Sequence, residues 1–321
     1  MEMRANDDFS KSFDHASGCT AERFQNPLWP ITEIFFGSKF RKSVSVVRNF
    51  GRDIVASAVA DRRQLKTKTR ENNLDQPPNN KLDQISGSLI QSLLDTMGDE
   101  KTVADAALTY LSAGRDTTGQ ALTWTFYLLM RNPHVLSKIR DEVTTILAAN
   151  NTPLSSPPDQ EKLPFDPTIF TPSSMPYTMA VFYESLRIFP PIPFEIRQCT
   201  GQAVTLPDGT FLPKDSVLVW CLWAMHRSKL TWGDDADEFK PERFLQSDGK
   251  LIQKSASEFP VFYGGQRTCL GKKMAEGIAV QVIPCMAWEF DFEAVGAGER
   301  RSKSSLTLPM EGGLPVFVGG R

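Results

Sequence analysis

The 321-residue sequence predicts a mainly α-helical fold with a small β region in its C-terminal half. Three observations predict it. Apolar residues recur at helical spacing through several long segments, each closed by proline-bearing breaks such as NPLWP and Asn132-Pro133. β-Branched and aromatic residues then alternate on either side of Asp208-Gly209, a hairpin signal. Helical spacing returns in KKMAEGIAVQVIPCMAWEF, before an ending that reads as strand.

Taken in order, residues 20–66 read as helices interrupted at NPLWP, the last of them ending in a basic turn that suits a helix C-terminus. The stretch TKTRENNLDQPPNNKLDQ, 67–84, is polar without apolar periodicity and predicts an exposed loop. SGSLIQSLLDTMG is a short amphipathic helix. From Asp99, a good N-cap, the pattern supports one long helix to about Arg131, and another follows in HVLSKIRDEVTTILAA. Residues 150–175 are a Pro/Ser-rich loop. MPYTMAVFYESLRIF is a helix stopped by Pro190-Pro191.

Composition narrows the class. A net charge of −2 with 40% hydrophobic residues is ordinary for a globular protein and gives no reason to expect nucleic acid as partner. The five cysteines are odd in number and widely spaced, which argues against a disulfide framework or a C-x-x-C zinc site. No apolar run reaches the roughly 18 residues of a membrane span, and the polar N-terminus lacks a signal peptide.

One cysteine stands apart. Phe262, Gly265, Arg267, Cys269 and Gly271 form F-x-x-G-x-R-x-C-x-G, a loop too poor in apolar side chains to be core. A phosphate loop would need glycine at Gln266 and Ser or Thr at Lys273, so that reading fails. A thiolate in a glycine-bent loop just before a helix gains from the N-terminal dipole, glycine admits a flat cofactor, and arginine suits a carboxylate on it. These are the requirements of a thiolate ligand to heme iron.

Three weaker patterns accompany it. AGRDTT, Ala113 to Thr118, puts poor helix formers mid-helix, either as a solvated patch or as a local opening with Asp116 and Thr117 as a proton-relay pair. Glu184 and Arg187 of ESLR share a helix face, a spacing that most often marks an exposed ion pair of little worth. PERF, Pro241 to Phe244, has almost no specificity alone.

Together and in this order, A-G-x-D-T-T, E-x-x-R, P-E-R-F and the cysteine loop resemble the cytochrome P450 family. The phrases WTFYLLMRNPHV, ESLRIFPPIP and HRSKLTWGDDADEFKPERF look like its fungal members, closest to those that hydroxylate alkanes and fatty acids. The resemblance implies a heme-thiolate monooxygenase that inserts one oxygen atom of O2 into a C–H bond. Cys269 would be the axial ligand of heme b, and Arg267 and Arg197 would pair with its propionates. Phe262 would pack beside the sulfur, with Gly265 and Gly271 seating the cofactor. Asp116 and Thr117 would pass protons, and Glu184, Arg187 and Arg243 would form a buried structural triad.

The same resemblance implies partners and limits. Electrons would come from NADPH–cytochrome P450 reductase, with Lys272 and Lys273 as a docking patch or a merely solvated pair. The substrate would be small and hydrophobic, a fatty acid or alkane, or a secondary-metabolite intermediate; Trp124, Phe126 and Phe194 are apolar pocket candidates or plain core. Family members are about half again as long, so the expectation is a single partial domain, 1–321, without the N-terminal helices and membrane anchor. The alternative is a non-catalytic remnant with weak or no heme binding. Full-length relatives sit on the endoplasmic reticulum membrane, and NPLWPITEIFFG is either a peripheral membrane contact or an interior loop.

Overall fold

The computed structural model describes residues 2–71, 89–150, 165–296, 298–303 and 305–321. They form two compact units, Met1–Arg115 and Asp116–Arg321.

The first unit is helical. α1 (Glu2–Gln25), α2 (Trp29–Phe36) and α3 (Ser38–Glu71) are followed by α4 (Leu89–Met97) and the start of α5 (Glu100–Arg131). Pro30 in the first turn of α2 needs no hydrogen-bond partner there, which makes NPLWP a helix start as well as a break. α1 packs along α3, with the Phe9 and Phe50 rings stacked at 4.2 Å. Val55, Leu94, Val103 and Ala104 bury a smaller cluster beside α3 and α4. α3 continues helical through Glu71, so residues 67–71 are not the loop their polarity predicts. A helix end needs no apolar stripe, and Lys and Arg are good helix formers. The rest of 67–84 lies outside the described residues.

The second unit carries the larger core. α6 (Pro133–Ala149) buries the stripe Val135, Ile139, Val143 and Leu147. α7 (Pro176–Ile188) is buried on every side from Thr178 onward, packed by α6, by α10 (Lys272–Glu289) and by the turn Pro241–Phe244. Its N-terminus has no side-chain cap of its own. Glu142 of α6 supplies one, accepting from the Tyr177 N–H at 2.7 Å and the Thr178 N–H at 2.9 Å. Arg140 performs the converse service at the end of α10, donating to the carbonyls of Ala287 at 2.8 Å and Phe290 at 3.0 Å.

The β region is three two-stranded antiparallel ladders. β1 (Phe194–Gln198) pairs with β4 (Val217–Cys221), β2 (Val204–Thr205) with β3 (Phe211–Leu212), and β5 (Phe290–Ala294) with β6 (Val316–Gly320). The β2–β3 hairpin turns at Asp208-Gly209, where Gly209 takes φ +88 and the Asp208 carboxylate accepts from the Thr210 N–H at 2.9 Å. Two short helices, α8 (Leu222–Met225) and α9 (Lys229–Trp232), follow β4.

Candidate heme-thiolate site

The cysteine loop is built by its own backbone. Tyr263 N–H donates to Pro260 O at 2.8 Å, and Cys269 N–H to Phe262 O at 2.8 Å, which folds the segment back on itself. Gly265 stands at φ +60, where a side chain would be strained, so its place in the motif is conformational. Gly264 is needed for a different reason: a Cβ there would lie 2.7 Å from the Ala256 Cβ. The spacing of the motif does not reveal that contact. At Gly271 a Cβ would meet only the Cys269 Sγ at 3.8 Å, so nothing in the protein forbids one; glycine leaves the space beside the sulfur open.

Cys269 is exposed and sits just ahead of α10, whose N-cap is Gly271. The thiol therefore faces the positive end of an 18-residue helix. It opens on a cavity of about 260 Å³ that also takes in Thr117, Thr118, Arg197, Phe262 and Arg267, with Ala121, Phe182, Leu186 and Val261 as apolar wall. Five of the expected site residues, Cys269, Arg267, Arg197, Phe262 and Thr117, thus converge across more than 150 positions of sequence.

Strand alternation explains which β1 residues reach it. Glu195 and Arg197 line the cavity, while the intervening Ile196 and the neighbouring Phe194 point to the other face and are exposed. Phe194 is therefore not a pocket residue. Nor is Trp124, which is buried as core: it stacks on Phe189 at 3.9 Å and donates Nε1–H to Leu308 O at 2.8 Å. Phe126 packs instead against Phe292, at 5.4 Å between rings. The apolar lining comes from Phe182, Leu186 and Ala121, and neither aromaticity nor spacing singles these out.

α5 passes through AGRDTT unbroken. Thr117, Thr118 and Ala121 border the cavity; Asp116, about 160° round the helix from Thr118 and about 140° from Ala121, does not. Of the expected relay pair, Thr117 therefore stands at the cavity and Asp116 beside it on the helix.

Arg197 is held in place before any ligand arrives. Its guanidinium lies 4.1 Å over the Tyr263 ring and donates to Ile196 O at 2.8 Å. Tyr263, absent from the motif reading, adopts φ +62, a sparsely populated region for a bulky residue. Glu195 is a second unforeseen neighbour; burial pushes its carboxyl up, and Arg197 opposes that shift. Among the described residues neither Arg197 nor Arg267 forms an ion pair.

A heme fits these groups by their chemistry: one thiol at a helix N-terminus, two guanidiniums that outnumber the lining carboxylate Glu195, and an apolar wall in the same cavity. Among the described residues no cluster of three or more His, Cys, Asp or Glu offers a competing chelate.

Glu184, Arg187 and Arg243 meet, and Glu184 and Arg187 are not an exposed pair. Glu184 and Arg187 are fully buried. Arg187 grips the carboxylate with Nε at 2.7 Å and Nη2 at 2.8 Å. Its remaining N–H groups reach the carbonyls of His226 and Ala236, both at 2.6 Å, and Glu238 at 2.9 Å. All five guanidinium donors are used. Arg243 Nε adds a bond to Glu184 at 3.3 Å, and its Nη1 pairs with Asp235 Oδ1 at 2.6 Å, holding that carboxyl down at about 2. Lys272 lies 3.8 Å from Glu276 and over the Phe262 ring, while Lys273 is exposed.

The profile of the family described as Cytochrome P450 matches residues 1–313. The chain is 32% identical to Cytochrome P450 94A1 of Vicia sativa over 98% of its own length and 57% of that protein's. It is 30% identical to Cytochrome P450 86B1 of Arabidopsis thaliana, covering 98% of itself and 55% of the relative. Alkane hydroxylase MAH1 of Arabidopsis thaliana is 32% identical over 68% of the chain and 40% of its own length. The chain therefore spans little more than half the length of the first two. These relatives are plant proteins, so they lend no support to the fungal likeness of the phrases above.

Proposed function

The chain belongs to the cytochrome P450 family, and from that premise we propose that it carries the thiolate side of a monooxygenase site. The reaction would insert one oxygen atom of O2 into a C–H bond of a hydrophobic substrate. The observation that carries the proposal is the convergence of Cys269, Arg197, Arg267 and Thr117 on one cavity.

In this reading Cys269 would bind heme b through its sulfur, at the N-terminal end of α10. Arg197 and Arg267 hold the two carboxylates of the group by charge-assisted hydrogen bonds. The bound heme supplies oxygen activation, to which thiolate electron donation contributes. Phe182, Leu186 and Ala121 exclude water and accept hydrocarbon. Thr117 Oγ1 holds and passes protons at the cavity face, and Asp116 serves as outer member of that relay. The Glu184–Arg187–Arg243 cluster keeps the loop beneath the heme from shifting.

A fatty acid or alkane is the substrate class proposed, supported by the name of the alkane hydroxylase relative and by the apolar wall. A secondary-metabolite intermediate of similar polarity is the second choice. NADPH–cytochrome P450 reductase is the proposed electron donor, with Lys272 and Lys273 beside its landing face. No described helix is long and apolar enough to cross a membrane. α2 nonetheless leaves Ile34, Phe35 and Phe36 more than 70% exposed, which supports a peripheral contact with the endoplasmic reticulum surface.

The test is turnover of a fatty acid and an alkane by the heme-loaded chain with NADPH, the reductase and isotopically labelled O2. An alcohol carrying one labelled oxygen is expected. Oxidation of NADPH without labelled alcohol from either substrate would refute the proposed reaction.

A further inference from the structure

A second cysteine lies in a built environment in the first unit. Cys19 follows His15 by one turn of α1, with Sγ 3.7 Å from the ring Nε2. The other ring nitrogen, Nδ1, is 3.2 Å from the Oγ of Ser43 on α3, a buried hydroxyl. Thiol, imidazole and hydroxyl thus form a chain in which each ring nitrogen has its own partner. This is the arrangement of a nucleophile, its base and the group that orients the base.

Cys19 also borders a cavity of about 280 Å³ whose walls include Arg23, Trp29, Phe36 and Phe40. The Arg23 guanidinium lies 4.5 Å from the Trp29 ring and 4.7 Å from the Phe40 ring, and pairs with Glu33 at 2.7 Å. Its charge is balanced by Glu33, so the cavity presents the aromatic faces of Trp29, Phe36 and Phe40 beside the polar groups of Glu22, Asn26 and Thr32. A neutral, flat molecule with an apolar body and a polar carbonyl edge suits such mixed walls.

The charged groups facing the thiol are Glu22 and Arg23 of α1, Glu33 of α2 and Lys39 of α3. Burial, with help from Glu22, pushes the thiol up. At neutral pH the sulfur is protonated, and its attack depends on a base within reach.

We propose that Cys19 is a covalent acceptor site for neutral, apolar α,β-unsaturated carbonyl compounds, with His15 as base and Ser43 holding the ring. Sγ forms a bond to the β-carbon as the carbon–carbon π bond breaks. The thiol proton passes to Nε2 and is returned to the α-carbon, so no oxidant, reductant or leaving group is required.

The test follows each cysteine of the purified full chain by peptide mass spectrometry during limited reaction with N-ethylmaleimide or N-phenylmaleimide. In the unaltered protein Cys19 is expected to react ahead of Cys199, which is comparably half-buried, and to favour the phenyl reagent more than Cys199 does. His15→Ala should slow Cys19 by roughly a hundredfold or more, within the range of general-base catalysis. Added imidazole should restore part of that rate, which a merely structural role of His15 would not allow. Ser43→Ala should lose less, with Ser43→Thr recovering it. Equal rates at Cys19 and Cys199 in the unaltered protein would overturn the proposal, whether or not the variants fold. So would a His15→Ala rate equal to the original or unmoved by imidazole.

Discussion

Replacing Arg187 by alanine should be among the most damaging single changes in the second unit. The side chain is fully buried and donates five hydrogen bonds, two to the Glu184 carboxylate and three to the carbonyls of His226, Ala236 and Glu238. Its loss leaves Glu184 buried with Arg243, at 3.3 Å, and the Lys240 N–H, at 2.9 Å, as its remaining partners among the described residues. Breaking a buried pair from one side costs about 3–5 kcal/mol. Each carbonyl stranded without a donor adds about 1–3 kcal/mol unless water enters. The total runs from about 3 kcal/mol with water on every carbonyl to about 6 kcal/mol or more without it, a large part of a typical domain's stability. Arg187→Lys should recover little, because an ammonium has three donors and cannot bind the carboxylate bidentately. The assay is urea denaturation, comparing midpoints at unchanged slope. A loss below about 1 kcal/mol for Arg187→Ala would refute the claim that the cluster is buried and fully paired.

Two further outcomes are expected. His226 is buried, neither ring nitrogen has a hydrogen-bond partner among the described residues, and burial lowers its pKa from 6.5 to about 4. The unfolded chain therefore takes up this proton first, so stability is full above pH 6.5 and falls between 6.5 and 4 by roughly 3 kcal/mol. His226→Phe should flatten that decline in a urea series across pH, and an unchanged slope would contradict it. Removing both cavity cations by Arg197→Ala and Arg267→Ala should weaken heme retention in equilibrium titration well beyond either change alone, while the urea midpoint of the heme-free protein barely moves. Equal retention would contradict their assigned role.

Much of the fold was legible because its signals are local. Asp99 accepts from the Thr102 N–H at 2.8 Å as the N-cap reading requires, and Asn132-Pro133 closes α5 and opens α6. Asp208-Gly209 turns the expected hairpin. The candidate site was legible only as far as its motifs reach. Trp124 and Phe194 were pocket candidates because apolar character does not tell core from lining; only the stack on Phe189 and the strand alternation of β1 separate them. Tyr263 beneath Arg197 carries no signal in the spacing of the cysteine motif. The worth of Glu184 and Arg187 depends on carbonyls 39 to 51 residues downstream, so a helical i,i+3 pair gave no hint of burial. Long-range partners of that kind are set by tertiary packing, which periodicity does not encode.

The central claim is that Cys269 is the axial ligand of a heme held in this cavity, and one spectrum tests it. The heme-loaded protein, reduced and exposed to carbon monoxide, should show the red-shifted Soret band of thiolate-ligated heme, and Cys269→Ala should abolish it. A band that survives the substitution, or that never forms in the unaltered heme-loaded protein, would contradict the assignment.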